Sequence, residues 1–90
     1  MTPTESWTMI RCVLVDADEP LSVAEIADEI GRDLPTRNPR NYTRTILYRR
    51  SSELLRVDGK YALTESDLGD VLREQYPERI RAVSPDLVPR

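Results

Sequence analysis

Apolar residues recur near the start of the chain at Trp7, Ile10, Val13, Leu14 and Ala17, with the polar Arg11 off that stripe. This i, i+3, i+4 spacing predicts a first amphipathic helix over 7–17. Asp16-Ala17-Asp18-Glu19-Pro20 interrupts it. Ser22, with Glu25 three positions on, then forms a capping box before Val23, Ile26, Ala27 and Ile30, each side chain satisfying a backbone N–H that the helix start leaves open. Gly31 stops this second helix. A connector over 33–37 contains Pro35, and Asn38-Pro39 reads as a cap followed by a first helical residue, where proline's missing N–H costs nothing. A third helix is predicted from Pro39 to about Ser51.

Two short apolar runs follow. Leu54-Leu55-Arg56-Val57 and Lys60-Tyr61-Ala62-Leu63 flank Asp58-Gly59, a dipeptide suited to a type I′ turn because both central residues need positive φ. In the resulting hairpin Leu54 lies across from Leu63 and Arg56 across from Tyr61, which turns an apolar face with an arginine stem toward the helices. Thr64 is the expected cap of a fourth helix, 64–76, apolar at Leu68, Val71, Leu72 and Tyr76 and ended by Pro77. A lone hairpin is marginal in water, so this one must pack on the helices. The expected fold class is mainly α with a β-hairpin (α+β): a three-helix core, the hairpin and a C-terminal helix, in one domain over 7–76. Residues 1–6 read as an N-terminal tail. Residues 77–86 read as an extension, either a further helical turn or a frayed tail. Leu87-Val88-Pro89-Arg90 matches what thrombin leaves after removing a C-terminal tag and is read as such a remnant. No repeat or low-complexity segment interrupts this order.

Composition narrows the chemistry. Ninety residues suit one small domain, with little room for a substrate cavity roofed by a second layer. With Cys12 the only cysteine and no histidine, an internal disulfide, a Cys/His zinc site, a Ser-His-Asp triad and a histidine base are all excluded within the chain. Glu25 and Glu29 lie one turn apart on a face expected to be solvated, and Asp16, Asp18 and Glu19 lack calcium-loop spacing. Neither an enzyme, a metal site nor a cofactor is expected. The longest apolar run, Cys12 to Val15, is too short to span a bilayer, and no base precedes Arg11, so neither a signal peptide nor a membrane span is expected. Cys12 sits in that run and reads as a small buried hydrophobe in a reducing cytoplasm.

Helix, helix, helix, hairpin, helix resembles the winged helix-turn-helix fold over about 7–64. The carriers are Ser22 to Ala27 on the second helix, Asn38 to Ser51 as the third, and Glu53 to Thr64 as the wing. Within that superfamily the chain is similar to the compact HARE-type and small regulator-type winged helices, whose wing closes on a Gly, basic, Tyr and Leu sequence, here Gly59, Lys60, Tyr61 and Leu63. The resemblance implies a third helix that enters the DNA major groove and a wing that touches the backbone.

Charge is distributed to match. The overall net charge is −3. Residues 36–60 nevertheless hold seven bases (Arg37, Arg40, Arg44, Arg49, Arg50, Arg56, Lys60) against Glu53 and Asp58, net +5, while residues 1–35 carry −6 and residues 61–90 carry −2. On a helical wheel Arg40, Arg44 and Ser51 cluster, with Asn41, Thr45 and Tyr48 extending that polar face, and Pro39, Thr43, Ile46 and Arg50 lie opposite. Arginine pairs bidentately with guanine or phosphate, asparagine with adenine, and a threonine methyl meets thymine. Arg40, Asn41, Arg44, Thr45 and Tyr48 are therefore the candidate base-reading set. Arg37, Arg49, Arg56 and Lys60 are the candidate phosphate contacts, which fix register. Tyr42, Tyr61 and Trp7 read as packing residues, and Arg50 as a stem laid over the core.

The function expected is a DNA-binding winged helix, a small transcriptional regulator or the DNA-targeting module of a larger assembly, with double-stranded DNA as partner. Such a protein would be cytoplasmic and nucleoid-associated. The alternative is a protein-interaction winged helix acting as an adaptor, which the acidic balance (pI ≈ 4.9) favours. A homodimer would use the fourth helix and residues 77–86, through Val71, Leu72, Tyr76, Ile80 and Val83.

Overall fold

The computed structural model describes residues 2–82. The first helix, α1, runs Pro3–Asp16 and so opens four residues before the apolar series begins. Thr2 Oγ1 accepts the Glu5 N–H at 3.2 Å while a Glu5 carboxylate oxygen accepts the Thr2 N–H at 3.4 Å. Pro3 occupies a first-turn position where its missing N–H is harmless. Residues 3–6 are therefore helix, not tail. The second helix, α2 (Val23–Ile30), carries the capping box read at Ser22 and Glu25, both bonds at 3.1 Å. A 3₁₀ turn over Gly31–Asp33 leads from it toward the third helix, α3 (Pro39–Arg49). Asn38 caps α3 by accepting the Asn41 N–H at 3.2 Å. The helix stops short of Ser51, which begins a second 3₁₀ turn, Ser51–Glu53.

Strands β1 (Leu54–Val57) and β2 (Lys60–Leu63) pair in the expected antiparallel register, Leu54 with Leu63 and Arg56 with Tyr61. Asp58 and Gly59 take φ of 53° and 79°, the two positive values that a type I′ turn needs. A third strand, β3 (Ile80–Ala82), lies along the other edge of β1, giving the order β2-β1-β3. Neither reading of the extension, helical turn or frayed tail, holds for residues 80–82: Pro77 ends the helix, and β1 offers an open row of backbone groups that β3 satisfies. Residues 83–90, with Val83 and the supposed tag remnant, lie outside the described residues. On the outer edge of β2, Tyr61 exchanges two backbone hydrogen bonds with Leu21, at 2.7 and 2.9 Å.

The last helix, α4 (Asp67–Gln75), is capped by Ser66 and not by Thr64. Ser66 Oγ accepts the Gly69 N–H at 2.9 Å and donates to the Leu63 carbonyl at 2.8 Å, while the Thr64 carbonyl accepts from Arg73. Both faces of the hairpin are buried. Leu54, Tyr61 and Leu63 join Trp7, Ile10, Leu14, Ile26, Ile30, Leu34, Ile46 and Leu47 in the main core. Val57 and Ala62, on the reverse side, pack with Leu72, Leu68 and Ile80. The chain is thus mainly helical with an antiparallel hairpin, an α+β arrangement.

Cys12 corrects another expectation. It is exposed, because it sits about 200° round α1 from the fully buried Ile10. The apolar run around it spans both faces of a helix, and only one of those faces is core. Among the described residues, no helix is long and apolar enough to cross a membrane.

Candidate nucleic-acid interface

The packing of α3 decides what it can present. Thr43, Ile46 and Leu47 are buried, and Tyr42 is half-buried with its hydroxyl 2.9 Å from Ser6 Oγ. Burying Leu47 fully contributes about 1.5–3 kcal/mol, enough to fix which side of so short a helix faces inward. The opposite side carries Arg40, Asn41, Arg44 and Thr45, all exposed, with Arg49 exposed at the end and Arg37 exposed in the segment before. Thr45 Oγ1 donates to the Asn41 carbonyl at 3.0 Å, so its hydroxyl is engaged within the helix. Tyr48 is half-buried and packs against the main core, so of the five candidate base readers it is the one whose ring the fold already uses.

Electrostatically α3 differs from its neighbours. Its first turn holds no acid, whereas α1 has Glu5, α2 has Glu25 and α4 has Asp67 and Asp70. The positive end of its dipole adds to Arg37 and Arg40 without compensation. Among the described residues no ion pair involves Arg37, Arg40, Arg44 or Arg49. Arg50 behaves as its stem position implies: it pairs with Glu53 at 3.7 Å, and its guanidinium lies 5.7 Å from the Trp7 ring centroid.

Tyr61 of the hairpin belongs to the core cluster against which Tyr48 packs. The Tyr61 side chain is buried at 3% exposure, and burial pushes its pKa up, with the positive charges of Arg56 and Arg44 drawing it partly back and Tyr48 adding to the rise. The Arg56 guanidinium sits 6.0 Å from the Tyr61 ring centroid. The charges of Arg44 on α3 and Arg56 on β1 both act on the Tyr61 hydroxyl, which links one predicted base reader and one predicted phosphate contact electrostatically. In the sequence Tyr61 reads only as packing, and its place opposite Arg56 in the register is the sign of more.

Lys60 stands differently from its expected role. It is exposed but pairs with Glu25 of α2 at 3.5 Å. The Glu25 carboxyl is held below its ordinary range chiefly by the Ser22 N–H and hydroxyl of the capping box, with Lys60 adding to the effect. An exposed pair of this kind is weak and salt-screened, so Lys60 is shared with Glu25 but not sequestered. Among the described residues no cluster of His, Cys, Asp and Glu is placed to hold a metal ion.

Comparison with protein-family models, with curated proteins and with solved structures finds no match. The geometry of the face itself therefore carries the functional argument.

Proposed function

We propose that the chain is a winged-helix DNA-binding domain in which α3 occupies the major groove and the β1–β2 hairpin is the wing. One observation carries this reading: among the described residues Arg37, Arg40, Arg44 and Arg49 stand exposed and without ion pairs along α3 and its approach, next to a hairpin that adds Arg56 and Lys60. A solvated helix face has no need to gather bases while the rest of the chain is acidic. Arg40, Asn41 and Arg44 are the base-reading residues, with Thr45 and Tyr48 at the margin, and Arg37, Arg49, Arg56 and Lys60 contact phosphates. The mechanism is occupancy, with counterion release supplying much of the affinity. Such a domain serves as a small transcriptional regulator or a DNA-targeting module in the cytoplasm, at the nucleoid.

The test is fluorescence anisotropy of a labelled random duplex at low and at physiological salt, with an Arg40→Glu/Arg44→Glu variant alongside. Salt-sensitive binding that the variant loses is the expected result. A folded wild-type chain with no binding at low salt would refute the reading.

A second reading, a winged helix acting as protein adaptor, has one observation of its own. Val15 and Val71, 53% and 43% exposed, line a groove between α1 and α4 together with Asp18, Glu65 and Asp67. Tyr76, the cap at the C-terminal end of α4, is exposed too, which makes this helix the first surface to examine for a second copy of the chain or for a protein partner.

A further inference from the structure

Asp58 puts a carboxylate at the tip of the hairpin. Aspartate is among the few residues that accept left-handed φ, so the turn explains its presence. Its charge, however, opposes a phosphate-binding wing. Arg79, in the turn between α4 and β3, forms an ion pair with this carboxylate. The same guanidinium lies 5.3 Å from the ring centroid of Tyr76, and the Arg79 N–H donates to the Tyr76 carbonyl at 3.1 Å. On its other side Ile80 is held in register with Val57 and packs into the second apolar cluster. Arg79 is therefore fixed at the tip from both directions by a segment distant in sequence from α3 and the hairpin.

We propose that Arg79 is a DNA-contact residue of the wing tip: it cancels the charge of Asp58 and offers the remainder of its guanidinium to a backbone phosphate. A guanidinium has five N–H donors in a planar fork, and one carboxylate engages at most one edge of it. The ion pair presents a neutral tip that still carries donors, where Asp58 alone would repel the duplex. This inference rests on the DNA-binding reading and extends the nucleic-acid face to the C-terminal segment, which segment-by-segment charge counting places in an acidic stretch.

The experiment is the anisotropy titration on the full chain with the same random duplex, run across a salt series. Arg79→Ala is expected to weaken binding about fivefold or more at physiological salt and to lower the slope of log K against log salt by about one, the signature of one lost phosphate contact. Arg79→Lys keeps the slope. Asp58→Asn, which tolerates the left-handed turn, tightens binding, and in the Arg79→Ala background it restores part of the affinity without restoring the slope. Wild-type binding that Arg79→Ala leaves unchanged in slope overturns the inference and leaves the α3 reading standing. Should Arg79→Ala fail to fold by circular dichroism, Asp58→Asn decides, and no tightening there overturns the inference. A wild-type chain that does not bind DNA sinks this inference and the reading it rests on together.

Discussion

Thr43 gives the sharpest test of how α3 is held. It is fully buried on the inward face of the helix, and among the described residues its Oγ1 has no hydrogen-bond partner. Leaving a hydroxyl buried and unpaired costs about 1–3 kcal/mol, because water's hydrogen bonds are given up and not replaced. Thr43→Val replaces that hydroxyl with a methyl of similar shape, and the two residues have nearly equal helix propensity. The expected outcome is a gain of about 1 kcal/mol, which for a domain of this size raises Tm by about 4–8 °C. Thermal and urea unfolding followed by circular dichroism measure it. Ser6→Ala is the matched control, since the Ser6 hydroxyl is buried yet paired, 2.9 Å from the Tyr42 hydroxyl and 3.3 Å from the Thr2 carbonyl. That change should cost about 0.5–1.5 kcal/mol. Because Thr43 faces inward, DNA affinity should be the same in Thr43→Val as in wild type. A lower Tm for Thr43→Val would refute the argument, since it would mean that the hydroxyl does have a partner whose loss outweighs its desolvation.

Tyr61 ties stability to alkaline pH. Its folded-state pKa is raised by burial, so its contribution is fully present below the ordinary tyrosine value of about 10 and is lost as pH rises from there toward the folded value, where the unfolded chain ionises and the folded one resists. Denaturation at pH 8 and pH 11 should show a smaller loss in Tyr61→Phe than in wild type, and equal losses would rule this out. Gly69 lies so close to the chain before α4 that an added Cβ would run into the Leu63 and Thr64 carbonyl oxygens. Gly69→Ala should destabilise by about 1–3 kcal/mol, and an unchanged Tm would show that α4 shifts freely. For DNA, Arg44→Ala should cost about 1–3 kcal/mol on a selected site, whereas Lys60→Ala should weaken all sequences alike and lower the salt slope by less than one, because Glu25 already shares its charge. Equal, salt-insensitive effects from the two would sink the division between base reading and backbone contact.

The parts of the fold legible in the sequence are those set by local chemistry. The capping box at Ser22, Asn38-Pro39 at the start of α3 and the positive-φ pair Asp58-Gly59 each act within a few residues, and all three stand where the sequence puts them. The start of α1 was missed for a physical reason. Its first turn is exposed apart from Ser6, so the apolar series begins only at Trp7, although Thr2 and Glu5 spell out a second capping box. Strand β3 was missed because three residues carry too little period to read, and their pairing depends on the open edge of β1, which is remote in sequence. Cys12 was misread because an apolar run of four residues goes more than once around a helix, so at least one of them must point outward.

The candidate site repeats this division on a larger scale. That Arg40 and Arg44 share the outward side of α3 follows from periodicity, and the structure exposes both. How the bases are paired does not follow from it, because each pairing joins elements far apart in the chain. Counted along the sequence, the hairpin owes its positive charge to Arg56 and Lys60, and Asp58 is only a turn residue. In space Lys60 is shared with Glu25, Arg56 lies over Tyr61, and Asp58 is neutralised by Arg79. Residues 36–60 keep their net +5, but the positive charge of the hairpin shifts from its Lys60 end toward the junction with α3 and toward the β3 side of the tip. At the hairpin, a duplex laid on α3 would therefore meet its backbone contacts chiefly at Arg56 and Arg79, with Lys60 contributing only to the extent that phosphate displaces Glu25. Low salt should strengthen the Glu25–Lys60 pair as well as the phosphate contact that competes with it, so the effect of Lys60→Ala should vary less with salt than that of Arg79→Ala.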